Sequence, residues 1–165
     1  MHEIFQKTLS NPINFEGIGL HSGKKSKIKI LPGKEDQGIT FMRVDLKQNN
    51  LVRANYESVS SAKLCTTLKN EYGVKVSTVE HLLAALYISG VDSAVIEIDN
   101  EEVPIMDGSA KDFLDILKKT EMTLLSKKRK YLKILSKVEL IDGERRMSIE
   151  PNNSSLEVDF QLNYR

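Results

Sequence analysis

Cysteine is nearly absent from this sequence. Cys65 stands alone among 165 residues, so no intrachain disulfide can form and a reducing compartment is the natural setting. Long apolar runs are missing too. No window approaches the ~20 apolar residues that spanning a bilayer requires, and no basic segment leads into an apolar stretch at the start. Neither a membrane span nor an export signal is expected, and the expected location is the cytoplasm. Charge of one sign is not in excess: 24 basic and 23 acidic residues leave a formal net charge of +1, a field that offers nucleic acid little attraction. The one basic cluster, Lys127-Lys128-Arg129-Lys130, reads as a solvated linker. The length suffices for one domain with a proper core, or one domain and part of another.

What is present has a clear punctuation. Ser26 to Leu31 alternates polar and apolar before Pro32-Gly33, the pattern of a half-buried strand ended by a turn, with Ile39 to Val44 as its expected partner. After Val74-Lys-Val and Ser77, residues Val79, Leu82, Leu83 and Leu86 follow one helical face. Residues 82–88 carry no charge, so this helix is expected to be buried all round, with Gly90 ending it. Ala94 to Ile98 is a strand by β-branched content. A second helix is expected from Ala110 to Lys119, with Phe113, Leu114 and Leu117 inward and a Ser109/Asp112 capping box. Strands followed by helix, strand and helix with irregular connections argue an α+β fold in which a sheet layer packs on a helix layer.

Beyond the basic cluster the pattern begins again. Lys133-Ile-Leu-Ser is similar to Lys7-Thr-Leu-Ser, and Arg146-Met-Ser-Ile-Glu-Pro to Lys27-Ile-Lys-Ile-Leu-Pro, a weak internal repeat. Leu156, Val158, Phe160, Leu162 and Tyr164 alternate as a strand, and the sequence stops at Arg165. The expected organisation is a first two-layer α+β domain over residues 1–125, carrying the helix that begins near Glu80, and over residues 128–165 the truncated start of a second, similar domain.

Three stretches hold the residues able to carry chemistry. Ser77 and Glu80 have capping-box spacing, so Glu80 either bonds back to the Ser77 amide or serves as a functional carboxylate in the first turn of an apolar helix. His81 is either a hydrogen-bonded structural histidine or a metal ligand; a catalytic zinc takes three protein ligands and keeps one position open for water. The second histidine of the familiar metalloprotease motif would fall at position 85, which is alanine. Gly17-Ile-Gly-Leu-His-Ser-Gly has the wrong spacing for a dinucleotide fingerprint or a P-loop and reads as a tight turn with His21 exposed. Asp107 and Ser109 read as turn and cap residues.

Gly17-Ile-Gly-Leu-His-Ser-Gly-Lys, Leu64-Cys-Thr-Thr-Leu, Ser77-Thr-Val-Glu-His-Leu-Leu-Ala-Ala-Leu and Pro104-Ile-Met-Asp-Gly-Ser resemble, in order and spacing, the UDP-3-O-acyl-N-acetylglucosamine deacetylases of lipid A biosynthesis. The resemblance covers essentially the whole sequence as the family's N-terminal portion. It implies two similar α+β domains facing each other across an active site. In that family a zinc-bound water attacks the acetyl carbonyl of the sugar amide, with a glutamate as general base, releasing acetate and a free amine. Glu80 matches the base and His81 the first zinc ligand. Leu64, Cys65 and Thr66 match a segment near the substrate, although Cys65 serves equally as packing. His21 matches a glycine-loop histidine near the site. Asn163 and Tyr164 fall where the family has Asp-Phe contacting the uridine.

The resemblance also exposes a gap. The family's His-Lys-x-x-Asp element, which supplies the other zinc ligands, and its general-acid histidine have no counterpart here. A missing C-terminal half is therefore expected to be needed to complete the zinc site, and this chain alone is expected to be inactive. The competing reading is a non-catalytic module derived from that enzyme that binds a sugar nucleotide or a partner; a structural domain pairing through an exposed sheet edge is a further one.

Overall fold

A computed structural model describes residues 4–153 and 156–162. Among the described residues the architecture is mixed α/β, mostly strand with two α-helices, and the chain divides after Arg129 into two units. In the first unit β1 (Phe5–Leu9) pairs with β10 (Met122–Lys128). A five-stranded sheet contains β2 (Ile13–Ile18), β3 (Lys25–Pro32), β4 (Ile39–Arg43), β5 (Leu51–Arg53) and β9 (Ala94–Ile98) in the order β2-β3-β9-β4-β5. A smaller sheet joins β6 (Val59–Ser61), β7 (Thr67–Lys69) and β8 (Lys75–Ser77). The helices are α1 (Glu80–Ile88) and α2 (Lys111–Leu117).

The alternation in β3 is realised: Ser26, Ile28 and Ile30 are buried and Lys25, Lys27 and Lys29 are exposed. Ile28 and Ile30, with Phe41, Val52, Ile96 and Ile98, share one apolar core with Val79, Leu82 and Leu86 of the α1 segment and Phe113 and Leu117 of α2. Phe113 meets Phe15 edge-on, with ring centroids 5.0 Å apart. Each such side chain contributes about 1.5–3 kcal/mol through burial, which is what holds the helices to the sheet.

Residues 39–44 are not the partner of β3. β9 lies between them, antiparallel to β3 and parallel to β4. The buried Ala94, Ile96 and Ile98 make β9 the better central strand, and it pairs on both sides. Nor is α1 buried all round, because Tyr87 (81% exposed) and Ile88 face away from the core despite their apolar character. Gly90 does end the helix, at φ +74°, where its N–H donates to the Tyr87 carbonyl and that of Val91 to the Leu86 carbonyl, the hydrogen-bond pair of a Schellman cap.

The basic cluster is a solvated linker only in part: Lys127, Lys128 and Lys130 are exposed and the division between the units falls after Arg129, but the first three residues belong to the first unit. Lys127 and Lys128 end β10, and the Arg129 guanidinium reaches Asp92 at 2.7 Å and the Gly90 carbonyl at 2.6 Å. Neither expected capping box forms. The Ser77 amide donates to the Glu101 carbonyl, and Ser109 accepts from the Lys111 amide without reciprocation from Asp112.

The second unit contains a hairpin of β11 (Val138–Asp142) and β12 (Arg145–Ile149), turned at Gly143-Glu144 with Gly143 at φ +60°. Every residue of both strands is exposed. The strand expected from Leu156 does not form in the described part: Leu156, Val158, Phe160 and Leu162 are unpaired and exposed. An isolated alternating segment has no ladder to join and no face to bury, which removes both reasons for being a strand. Tyr164, the last residue of that pattern, lies outside the described residues, as does Asn163.

Candidate functional site

The site is built where the chain turns from β8 into α1. Ser77 ends β8, and Thr78 adopts φ +57°, a left-handed conformation that costs a β-branched residue about 1–3 kcal/mol. That reversal starts α1 at Glu80, placing Glu80 and His81 in its first turn, both half-buried. Glu80 does not reach back to Ser77. Its carboxylate instead accepts from the Thr66 amide at 3.1 Å, while the Val79 amide donates to the Thr66 carbonyl. The strand approach and the 64–66 segment are thus clasped to the helix start.

Around that clasp Leu64 sits at φ +66° with its side chain 84% exposed, and Cys65 is half-buried with its sulfur 3.8 Å from the Thr67 hydroxyl. Leu64 is another bulky residue in a left-handed conformation, and Met106, at φ +55°, is a further one. One strained residue therefore falls in each of the Leu64, Ser77 and Pro104 motif blocks.

The glycine turn joins the same region from the other side. The Gly23 amide donates to the Gly19 carbonyl and the Gly19 amide to the Lys24 carbonyl, leaving His21 exposed on the turn. A Cβ on Gly17 would lie 2.9 Å from that of Pro104, and one on Gly19 would collide with the Glu102 carboxylate. The Ile105 amide donates to the Ile18 carbonyl. So the structure connects all the motif blocks: the Gly17 block to residues 102–106, residues 101–103 to Ser77, and the start of α1 to residues 64–66.

Sequence reasoning missed Glu102. Only 2% exposed, it accepts from the His21 amide (2.9 Å), the Ser22 amide (2.8 Å) and the Thr78 hydroxyl (2.9 Å). Burial pushes its carboxyl up, but the donors of His21, Ser22 and Thr78 outweigh that and hold it below the ordinary carboxylate value. Its only sequence signal is an acidic pair, Glu101-Glu102, ahead of a buried Val103-Pro104, and acidic pairs are usually solvated.

Among the described residues no three His, Cys, Asp or Glu side chains gather as a metal site, so these residues by themselves do not fit a zinc ion. No helix among the described residues is long and apolar enough to cross a membrane. Glu80 and His81 place a carboxylate and an imidazole next to each other in sequence at the start of α1, two groups whose chemistry suits proton transfer or metal ligation.

Comparisons with known proteins give the family. The family model described as UDP-3-O-acyl N-acetylglycosamine deacetylase matches residues 6–165, and the chain belongs to that family. It is 40% identical over 162 residues to the UDP-3-O-acyl-N-acetylglucosamine deacetylase of Phenylobacterium zucineum (strain HLK1), covering 98% of this chain and 55% of that protein. It is 38% identical over 161 residues to the protein of the same name from Shewanella baltica (strain OS155 / ATCC BAA-1091), covering 98% of this chain and 52% of that one. The chain spans about half the length of the curated relatives it matches.

Proposed function

We propose that this chain supplies one flank of the active site of a cytoplasmic, zinc-dependent N-deacetylase that releases acetate from UDP-3-O-(3-hydroxyacyl)-N-acetylglucosamine in lipid A biosynthesis. Glu80 is its general base, taking the proton of the attacking water, and His81 is one zinc ligand. The remaining ligands belong to the stretch of the relatives that this chain does not span, so the active enzyme is a full-length protein of which this chain is the N-terminal part. His21, Leu64, Cys65 and Thr66 border the substrate, and Asn163 and Tyr164 meet the uridine.

One observation carries the reading: Glu80 bonds to the Thr66 amide instead of capping its own helix. A capping carboxylate would be spent on local structure. This one is drawn toward the Leu64-Cys65-Thr66 segment, where a base and a substrate-bordering loop must meet.

We further propose that residues 1–125 form a two-layer sheet-and-helix domain and residues 128–165 begin a second of the same kind. Support comes from the shared core of the five-stranded sheet with α1 and α2, and from the hairpin β11–β12, which parallels the antiparallel pair β2–β3 at the repeated motifs.

The test is metal content. Full-length protein carrying His81→Ala, purified and dialysed beside wild type, is expected to retain substoichiometric zinc, because one ligand of three is gone. Zinc content equal to wild type would return His81 to a structural role.

A further inference from the structure

Glu102 is a buried carboxylate whose hydrogen-bond partners among the described residues are all neutral: the His21 and Ser22 amides and the Thr78 and Ser22 hydroxyls. Such a group is expensive to bury, and an apolar side chain of the same volume would commonly serve stability as well or better. Its placement offers another reason for it. The two carboxylate oxygens bridge two segments remote in sequence: Oε1 takes the His21 amide and the Thr78 hydroxyl together, and Oε2 takes the Ser22 amide. The backbone on either side is bracketed as well, since the Ser77 amide donates to the Glu101 carbonyl and the Val103 amide to the Ser77 carbonyl. Thr78 is the left-handed residue that aims the chain into α1, two positions before Glu80.

We propose that Glu102 is a positioning residue that locks the His21 turn to Thr78 and thereby fixes the exposed imidazole relative to the Glu80–His81 helix start. This rests on the deacetylase reading for its catalytic consequence, but not for its structural one. Gly19 belongs to the same device: only a residue without a Cβ lets the turn close over the carboxylate.

Glu102→Gln keeps the shape and removes the second acceptor. Whichever oxygen becomes NH2 then faces a backbone N–H, His21 on one side or Ser22 on the other, donor against donor. In the 165-residue chain the His21 and Ser22 amide protons, deshielded by the carboxylate, are expected to move upfield in a 15N–1H spectrum while those of Ile96 and Phe113 stay in place. In full-length protein kcat for acetate release is expected to fall on the order of 10²-fold with KM little changed, the signature of misplaced catalytic groups. Thr78→Val should lower kcat in the same way, and Thr78→Ser, which keeps the hydroxyl, should restore most of it.

Unmoved His21 and Ser22 amides would overturn the proposal, as would moved amides with wild-type kcat, which would leave Glu102 only structural. If Glu102→Gln fails to fold, the Thr78 pair decides: equal kcat in Val and Ser variants overturns it. A wild-type full-length protein that releases no acetate refutes the deacetylase reading instead, and the amide shifts still decide whether Glu102 holds the turn.

Discussion

Glu80→Gln in the full-length protein is expected to lower acetate release by about 10²–10⁴-fold while zinc stays bound and KM changes little, as removal of a general base does. The substitution is nearly isosteric, and the amide oxygen of Gln can still accept from the Thr66 amide that Glu80 holds at 3.1 Å. The clasp between the start of α1 and residues 64–66 is therefore preserved. No helix cap is lost either, since the helix has no side-chain cap to lose. What disappears is the capacity to accept a proton. Turnover at the wild-type rate would show that Glu80 is only the tie to Thr66.

The 165-residue chain by itself is expected to release no acetate above background and to hold no stoichiometric zinc after dialysis. One imidazole cannot hold the metal in an open tetrahedral site, and no group of three ligating side chains comes together among the described residues. The second unit gives an independent reason: every residue of β11 and β12 is exposed, as are Leu156, Val158, Phe160 and Leu162. Hydrogen exchange should accordingly show strong protection within residues 4–129 and little beyond them. Stoichiometric zinc with turnover would contradict this, and would require His2, His21, Cys65 or nearby carboxylates to form a site of another kind.

The parts of the fold that were legible in the sequence are those decided locally. β3 alternates because one face of it meets the core, and Gly90 stops α1 because the cap requires a positive φ. The order of strands was not legible. Whether β4 or β9 lies beside β3 depends on which strand the core can cover on both sides, a property of the assembled sheet. The Ser77/Glu80 capping box failed for a related reason: both groups found tertiary partners, the Glu101 carbonyl and the Thr66 amide. Tyr87 and Ile88 show that a helical stretch without charge, residues 82–88, can still present side chains outward.

In the site, Glu80, His81 and the glycine turn were recognisable because each lies in a contiguous motif. Glu102 was not, because its donors are 81, 80 and 24 residues away in sequence and no local pattern announces a carboxylate that will be buried. The strain at Leu64, Thr78 and Met106 is likewise invisible in residue type, since none of these favours a left-handed backbone.

Acetate release from UDP-3-O-acyl-N-acetylglucosamine by the full-length protein, measured as purified, after chelation and after zinc is returned, tests the central claim most directly. The account predicts turnover that chelation abolishes and zinc restores. No acetate release from well-folded, zinc-supplemented full-length protein would contradict it.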